Sequence, residues 1–225
     1  MADLDQLAKD NAGNIMKFTR AVLFFGPADA EIPEKMTEAG VAGGPPILST
    51  LPTGYIPAGL IKKDGGFEFG ADRDISETES LGYASPTRRD VQKEDVTINY
   101  ALQEFKRSSL EKYFGLDLSG VVIDADTGEV TFTRPITPGL IDFRAFIIAR
   151  DRSGPQATYF GRFYPKAQIT EVDSSSFSAE DEFAFPMTMT GQPDPAVGYS
   201  EAFFIGGPGF KARGTAGHGF GPATP

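Results

Sequence analysis

The sequence predicts a mainly β protein of about eight strands, with one short helix on its flank, two long loops and an extended arm at each end. Three observations carry this reading. Apolar and polar residues alternate with period two in several runs, one short stretch has helical spacing and a Gly to end it, and Pro- and Gly-dense stretches separate the periodic segments. The chain has 225 residues, 40% of them apolar, with 19 Phe. That is enough for a substantial core in one large β domain or two small ones.

In chain order, a short helix is expected near Asp3 to Lys9 and a strand over the apolar run Phe18 to Phe25. Residues 26–60 then lose all period, because Pro27, Pro33, Pro45, Pro46, Pro52 and Pro57 resist regular structure. So long a loop reads as an arm packed on something else. A strand resumes over Gly66 to Ala71, followed by a second long connection, 72–95, dense in charge. From Val96 to Leu102, Val96, Ile98, Tyr100 and Leu102 alternate with Thr97, Asn99 and Ala101, as in a strand with one buried face.

The helix is expected over residues 106–114. Ser108 and Glu111 stand at capping-box spacing, Leu110, Tyr113 and Phe114 share one face, and Gly115 can adopt the left-handed conformation that ends a helix. Ala125 to Gly128 reads as the turn of a hairpin between Val121 to Asp124 and Glu129 to Arg134. Leu140 to Arg150 is nearly continuous in apolar residues, which suits a strand covered on both faces. Tyr159 to Tyr164 and Ala167 to Asp173 are strands split at Pro165 by a bend or bulge. Glu182 to Thr190 alternates Phe183, Phe185, Met187 and Met189 with polar or small residues, and Pro186 predicts an edge position there. A last strand, Ala202 to Ile205, precedes a Gly-rich tail too poor in apolar residues to order itself.

Composition removes several function classes. The chain has no Cys, so disulfides, thiolate metal sites and cysteine nucleophiles are excluded. No stretch approaches the length of a membrane-spanning helix, and the start MADLDQLAKDN lacks a secretion pattern, so neither is expected. The formal net charge of −10 opposes tight sequence-independent nucleic-acid binding, which Lys and Arg drive. A negative wall along a path that DNA travels would instead keep the polymer from sticking.

Catalytic and cofactor motifs are weak. The single His, His218, lies in the Gly-rich tail without an orienting partner in sequence. Asp124, Asp126, Gly128 and Glu129 resemble the opening of a calcium loop, but the twelfth position is Pro135 where a Glu is required. Gly207, Gly209 and Ala212 fit G-x-G-x-x-A after a strand, yet Gly214 and Gly217 argue against the helix that must follow. Neither an enzyme nor a cofactor is expected. Arg88 and Arg89 are a candidate phosphate clamp whose acidic neighbours favour salt bridges, local or between subunits.

Three ordered stretches carry a resemblance: Gly54 to Phe69 (GYIPAGLIKKDGGFEF), the basic loop, strand and helix ending at Gly115, and Tyr159 to Asp173 with Phe185 to Gly207. Together they are similar to the major tail tube proteins of long-tailed, siphovirus-type bacteriophages, closest in look to those of actinobacterial phages. The resemblance implies a β-sandwich or open barrel with one flanking helix, in subunits that close hexameric rings and stack into a tube. It divides the chain into an N-terminal arm and Pro-rich loop with one strand (1–60), a tail-tube-like β domain (61–207) and a flexible Gly-rich tail (208–225).

On this reading the protein is a structural virion component and the tube an anionic conduit for genome ejection. The two long loops and two arms reach to neighbouring rings, with Tyr55, Ile56, Arg88 and Arg89 as intersubunit contacts. Its partners are itself, a tape-measure protein, a tail terminator and a baseplate or distal tail protein. DNA passes without specific binding and no membrane is involved. The protein resides in the virion tail, and in host cytoplasm during assembly. The alternatives are a β-sandwich decoration or receptor-binding module of a virion and the inner tube of a contractile injection device.

Overall fold

The computed structural model of the chain describes residues 10–137 and 139–221, so the helix expected over Asp3 to Lys9 lies outside the described residues. Within them run the strands β1 (Phe18–Pro27), β2 (Thr37–Glu38), β3 (Ile47–Leu48), β4 (Ile56–Pro57), β5 (Glu68–Thr78) and β6 (Arg88–Leu102). Helix α1 (Arg107–Phe114) follows, then β7 (Phe143–Asp151), β8 (Thr158–Val172), β9 (Phe185–Gln192), β10 (Ala202–Gly206) and helix α2 (Pro208–His218). One antiparallel sheet takes the order β4-β1-β7-β8-β9-β6-β5, with β10 also beside β8, while β2 and β3 pair separately. The fold is mainly β, as the alternating runs predict, but the described residues carry a helix, α2, in the tail where none is expected.

Alternation decides which side chains meet. Leu23 and Phe25 of β1, Ile98 and Leu102 of β6, Phe143 and Ile147 of β7, Tyr164 of β8 and Met187 of β9 share one core. The sheet therefore curls until β1 and β6, far apart in its order, face one interior. Segment 56–62 stitches the curl shut at one end. Ala58 N–H donates to the Leu23 carbonyl (2.8 Å), Gln103 N–H to Leu60 (3.0 Å) and Lys62 N–H to Ala101 (2.9 Å). Helix α1 covers the same interior through Leu110 and Tyr113, and Gly115 ends it at φ +65°.

A second cluster, Met36, Phe146 and Phe163, lies on the opposite face of β7 and β8. The Pro-rich loop builds it. Ile32, Met36, Leu51 and Tyr55 pack against Phe24, Ile148 and Phe204, so the loop expected to reach away is laid on its own subunit's sheet. Gly161 makes this possible, because a Cβ there would stand 2.8 Å from Met36 Sδ and 2.9 Å from Phe146.

Several expectations are corrected. The charged connection 72–95 is a long hairpin of β5 and β6, paired from Glu68↔Asn99 to Thr78↔Arg88, and on one face its charges pair across the strands, Arg73 with Glu94 and Arg89 with Glu77. The turn at 124–129 forms, with Asp124 N–H on the Glu129 carbonyl (2.9 Å), but no strands flank it. Its side chains, Val122, Ile123 and Val130 among them, stay exposed and find no sheet to join. Pro165 does not split β8, which runs through it as one strand; the extra residue is absorbed where Phe143↔Ala167 shifts to Ala145↔Tyr164. Strand β9 lies between β6 and β8 and is no edge. Pro186 is tolerated because it is the second residue of β9, one step beyond the last β8 pair Val172↔Met187.

The capping box does not form. The helix starts at Arg107 with Lys106 as its cap, so Ser108 falls inside it, buried, and Glu111 turns to Leu118 N–H (3.2 Å). The Gly-rich tail is helical to His218, broken at Gly214 (φ +65°, ψ 178°). It orders through backbone rather than apolar area, since Gly209 N–H donates to the Ala157 carbonyl at 2.8 Å.

Candidate assembly interface

The β5–β6 hairpin presents two unlike faces. On the side continuous with the core, cross-strand neighbours read Arg73 opposite Glu94, Ile75 opposite Val91 and Glu77 opposite Arg89. The two charged rungs are ion pairs at 3.0 and 2.7 Å, and the apolar rung between them is open to solvent. A register shift between Asp74 and Ile75 keeps the three rungs on one face. The other face carries Glu68, Asp72, Asp74, Asp90 and Asp95 against Lys93 and Arg88. Lys93 pairs with Asp95, whose hydrogen bond and charge hold the Lys93 ammonium above the usual lysine range.

The acidic face continues as a neutral polar one over β6, β9 and β8. There Thr188 Oγ1 donates to Asn99 Oδ1 (2.9 Å), Thr170 and Thr190 share a hydroxyl hydrogen bond (2.8 Å), and Gln192 donates to Gln168 (2.7 Å). These groups satisfy one another along the sheet. The Pro-rich loop covers the corresponding face of β7 and β8 but leaves this one open.

At the mouth of the curled sheet an aromatic ladder is exposed. Phe18 of β1 stacks on Phe160 of β8 at 5.9 Å, and Phe160 on Phe203 of β10 at 6.3 Å. Phe18 is 43% exposed and Phe203 60%. Beside them Arg162 lies 3.8 Å from the Phe69 ring centre and pairs with Glu201, donating from Nε and Nη2 to its two carboxylate oxygens. Exposed apolar patches on a soluble protein commonly mark contact surfaces. Sequence reading missed this ladder because its rungs come from three strands far apart in the chain, and only the cross-strand register aligns them.

The predicted contact residues are dispersed. Arg88 and Arg89 alternate onto opposite hairpin faces, where Arg88 pairs with Asp90 (2.6 Å) and Arg89 with Glu77 (2.7 Å). Tyr55 is a strut of its own loop, its hydroxyl donating to the Glu31 carbonyl at 3.0 Å. Burial pushes its pKa up to about 12. Ile56 sits on β4 opposite Phe25 at the sheet edge, exposed.

The weak motifs resolve as local structure. Asp124 accepts from Thr127 N–H (2.7 Å), the Thr127 hydroxyl (2.8 Å) and Asp126 N–H (3.0 Å). These bonds, led by Thr127 N–H, hold its carboxyl below the usual range. Among the described residues no three His, Asp or Glu side chains cluster as a metal site. A helix does begin at Pro208, against expectation, though Gly214 breaks it. These glycines make room for the chain's own backbone, though, because a Cβ on Gly209 would stand 2.2 Å from the Gln156 carbonyl oxygen. His218 stacks on Phe210 at 4.2 Å.

The sheet thus has one uncovered polar face, a projecting hairpin and an open aromatic ladder. Residues 9–199 match the family described as phage tail tube protein. The chain belongs to that family. No curated protein matches it. As a tail tube protein it is a structural component of the virion tail. No helix among the described residues is long and apolar enough to cross a membrane.

Proposed function

We propose that six copies close into a ring, that rings stack into the tail tube, and that the Thr/Asn/Gln face of β6, β9 and β8 lines the lumen. The observation that carries this is the inequality of the sheet faces: one half is roofed by the Pro-rich loop, and the other is open, hydrogen-bonded within itself and bordered by acids. A wall whose polar groups are already paired offers DNA few bonds, and Asp72, Asp74 and Asp95 repel its phosphates. The genome then slides during ejection without being held. The sixfold ring is what the family resemblance implies.

Ring closure supplies cover for the Phe18, Phe160 and Phe203 ladder, and a closed ring leaves no free sheet edge at β5. The hairpin, with Arg88 and Arg89, and Ile56 at the opposite edge serve as contacts between copies. The finished tube encloses a tape-measure protein and joins a terminator at one end and a distal tail or baseplate protein at the other. Its subunits fold in host cytoplasm before assembly. Electron microscopy of the concentrated protein tests the reading, with tubes or rings of uniform bore expected. A monodisperse monomer that persists at high concentration with tail initiators present sinks it.

A further inference from the structure

Beside α1 opens a cavity of about 230 Å³ lined by apolar residues, Leu140, Ile141, Phe143 and Val172 among them, and by the charged Glu111, Lys112, Arg134 and Glu171. An apolar cavity of roughly 150 Å³ already accepts a benzene ring, so a leucine side chain fits here with room to spare. Leu140, Ile141 and Val172 leave apolar surface open at its rim. Within it Lys112 lies over the Phe143 ring at 4.3 Å and near Phe25 at 5.7 Å. No carboxylate of the described residues reaches its ammonium as an ion pair; the adjacent Glu111 is taken by Arg107 (3.4 Å) and by Leu118 N–H (3.2 Å). Burial, the largest influence, lowers the Lys112 pKa. A partly desolvated cation without an ion pair of its own can take one from a docking partner.

The complementary shape is on the same chain. At the hairpin tip Leu81 is 104% exposed and Tyr83 73%. The tip is held in place by Thr87 N–H on the Thr78 carbonyl (2.9 Å) and by a Ser80–Thr87 hydroxyl hydrogen bond (2.7 Å). Glu79 precedes Leu81 by two residues and has no ion pair among the described residues, whereas Glu77 is taken by Arg89.

Position then decides who can meet whom. The tip lies beyond the start of β6, while α1 and the cavity lie beyond its end; the 15 residues of β6 separate them by roughly 50 Å at about 3.3 Å per residue. A subunit cannot fill its own cavity. Knob and hole at opposite ends make a head-to-tail contact, which repeats along an axis wherever its rotation does not close a ring. We infer that the hairpin tip of one copy docks in the cavity of the next copy along the tube, with Leu81 in the apolar pocket and Glu79 paired with Lys112. The inference rests on the tube reading above and adds to it the axial joint.

Charge reversal tests it. Lys112→Glu and Glu79→Lys should each leave rings that stack poorly, raising the protein concentration needed for tubes at least about tenfold. The double variant should recover tubes. Because the chain has no Cys, a second test does not depend on how Lys112→Glu folds. Leu81→Cys and Ile141→Cys subunits, mixed and oxidised in assembled tubes, should give a crosslinked dimer that neither gives alone. Unimpaired tubes from both single reversals, or mixed tubes without that crosslink, overturn the docking. Failure of the unaltered chain to form rings or tubes overturns the tube reading itself.

Discussion

Reversing two charges on the hairpin, Arg73→Glu with Arg89→Glu, should unzip its outer half and leave the subunit folded. The outer half beyond the register shift keeps one apolar rung, Ile75 with Val91, between the ion pairs Arg73–Glu94 and Arg89–Glu77. All four charged side chains are between 41% and 66% exposed. Each pair is therefore worth about 0.5 kcal/mol, and a like-charge pair in the same place opposes pairing by a similar amount. The two reversals together remove about 2 kcal/mol from a ribbon that has little else to hold it. Hydrogen exchange at amides 75–91 should then accelerate roughly 30-fold, since about 1.4 kcal/mol is a factor of ten. Salt should shrink the difference, as both pairs face water. The thermal midpoint of the subunit should move little, because the core of Leu23, Ile98, Phe143 and Met187 is untouched. Adding Glu77→Arg and Glu94→Arg should restore protection. Unchanged exchange at 75–91, or a fall of many degrees in the midpoint, refutes the argument that the ribbon stands on its charge register.

Other consequences are open to measurement. Phe203→Ser, on a ring already 60% exposed, should change subunit stability by no more than about 0.5 kcal/mol yet reduce ring formation in analytical ultracentrifugation; a subunit that unfolds instead would place the ladder in the core. Thr190→Lys with Gln168→Lys, on the open polar face, should leave tubes intact and make them retain DNA at about 50 mM salt and release it by about 200 mM. Retention that ignores salt, or none, would remove this face from the lumen. The Asp124 carboxyl is depressed in the folded state chiefly by Thr127 N–H. Its contribution to the turn is therefore present above the unfolded value near 3.9 and lost as pH falls through the lower folded value. The Thr127 amide resonance should titrate with a midpoint below about 3.9, and a midpoint at or above that value contradicts the hydrogen-bond account.

Strands were legible in the sequence wherever one face is buried. Val96, Ile98, Tyr100 and Leu102 alternate because a single core selects every second residue, and the structure buries those four. The hairpin was not legible, because its alternation is in the sign of charge and in pairing across the turn, which no count of apolar residues detects. The Pro-rich loop carries no period, since its anchors Ile32, Met36, Leu51 and Tyr55 are spaced by the sheet beneath them. For the tail, low apolar content suggested absence of order, whereas Gly207 and Gly209 admit the carbonyls of Ala157 and Gln156 at distances any side chain would forbid. Of the site, the two arginines were visible as a pair but not as residues of opposite faces.

Strand β8 serves two partners in succession on one edge, β10 and then β9, while β7 runs along its other edge. Hydrogen bonds of an antiparallel ladder lie across the strand direction. A pull along β8 therefore loads the rungs of several neighbours in shear at the same moment, and none can open singly like a zipper. Tension entering at the Tyr159 end is carried to the Val172 end through one unbroken backbone. A tube flexing with its virion would meet its stiffest resistance along this strand and bend first at the hairpin, where two strands hold only each other.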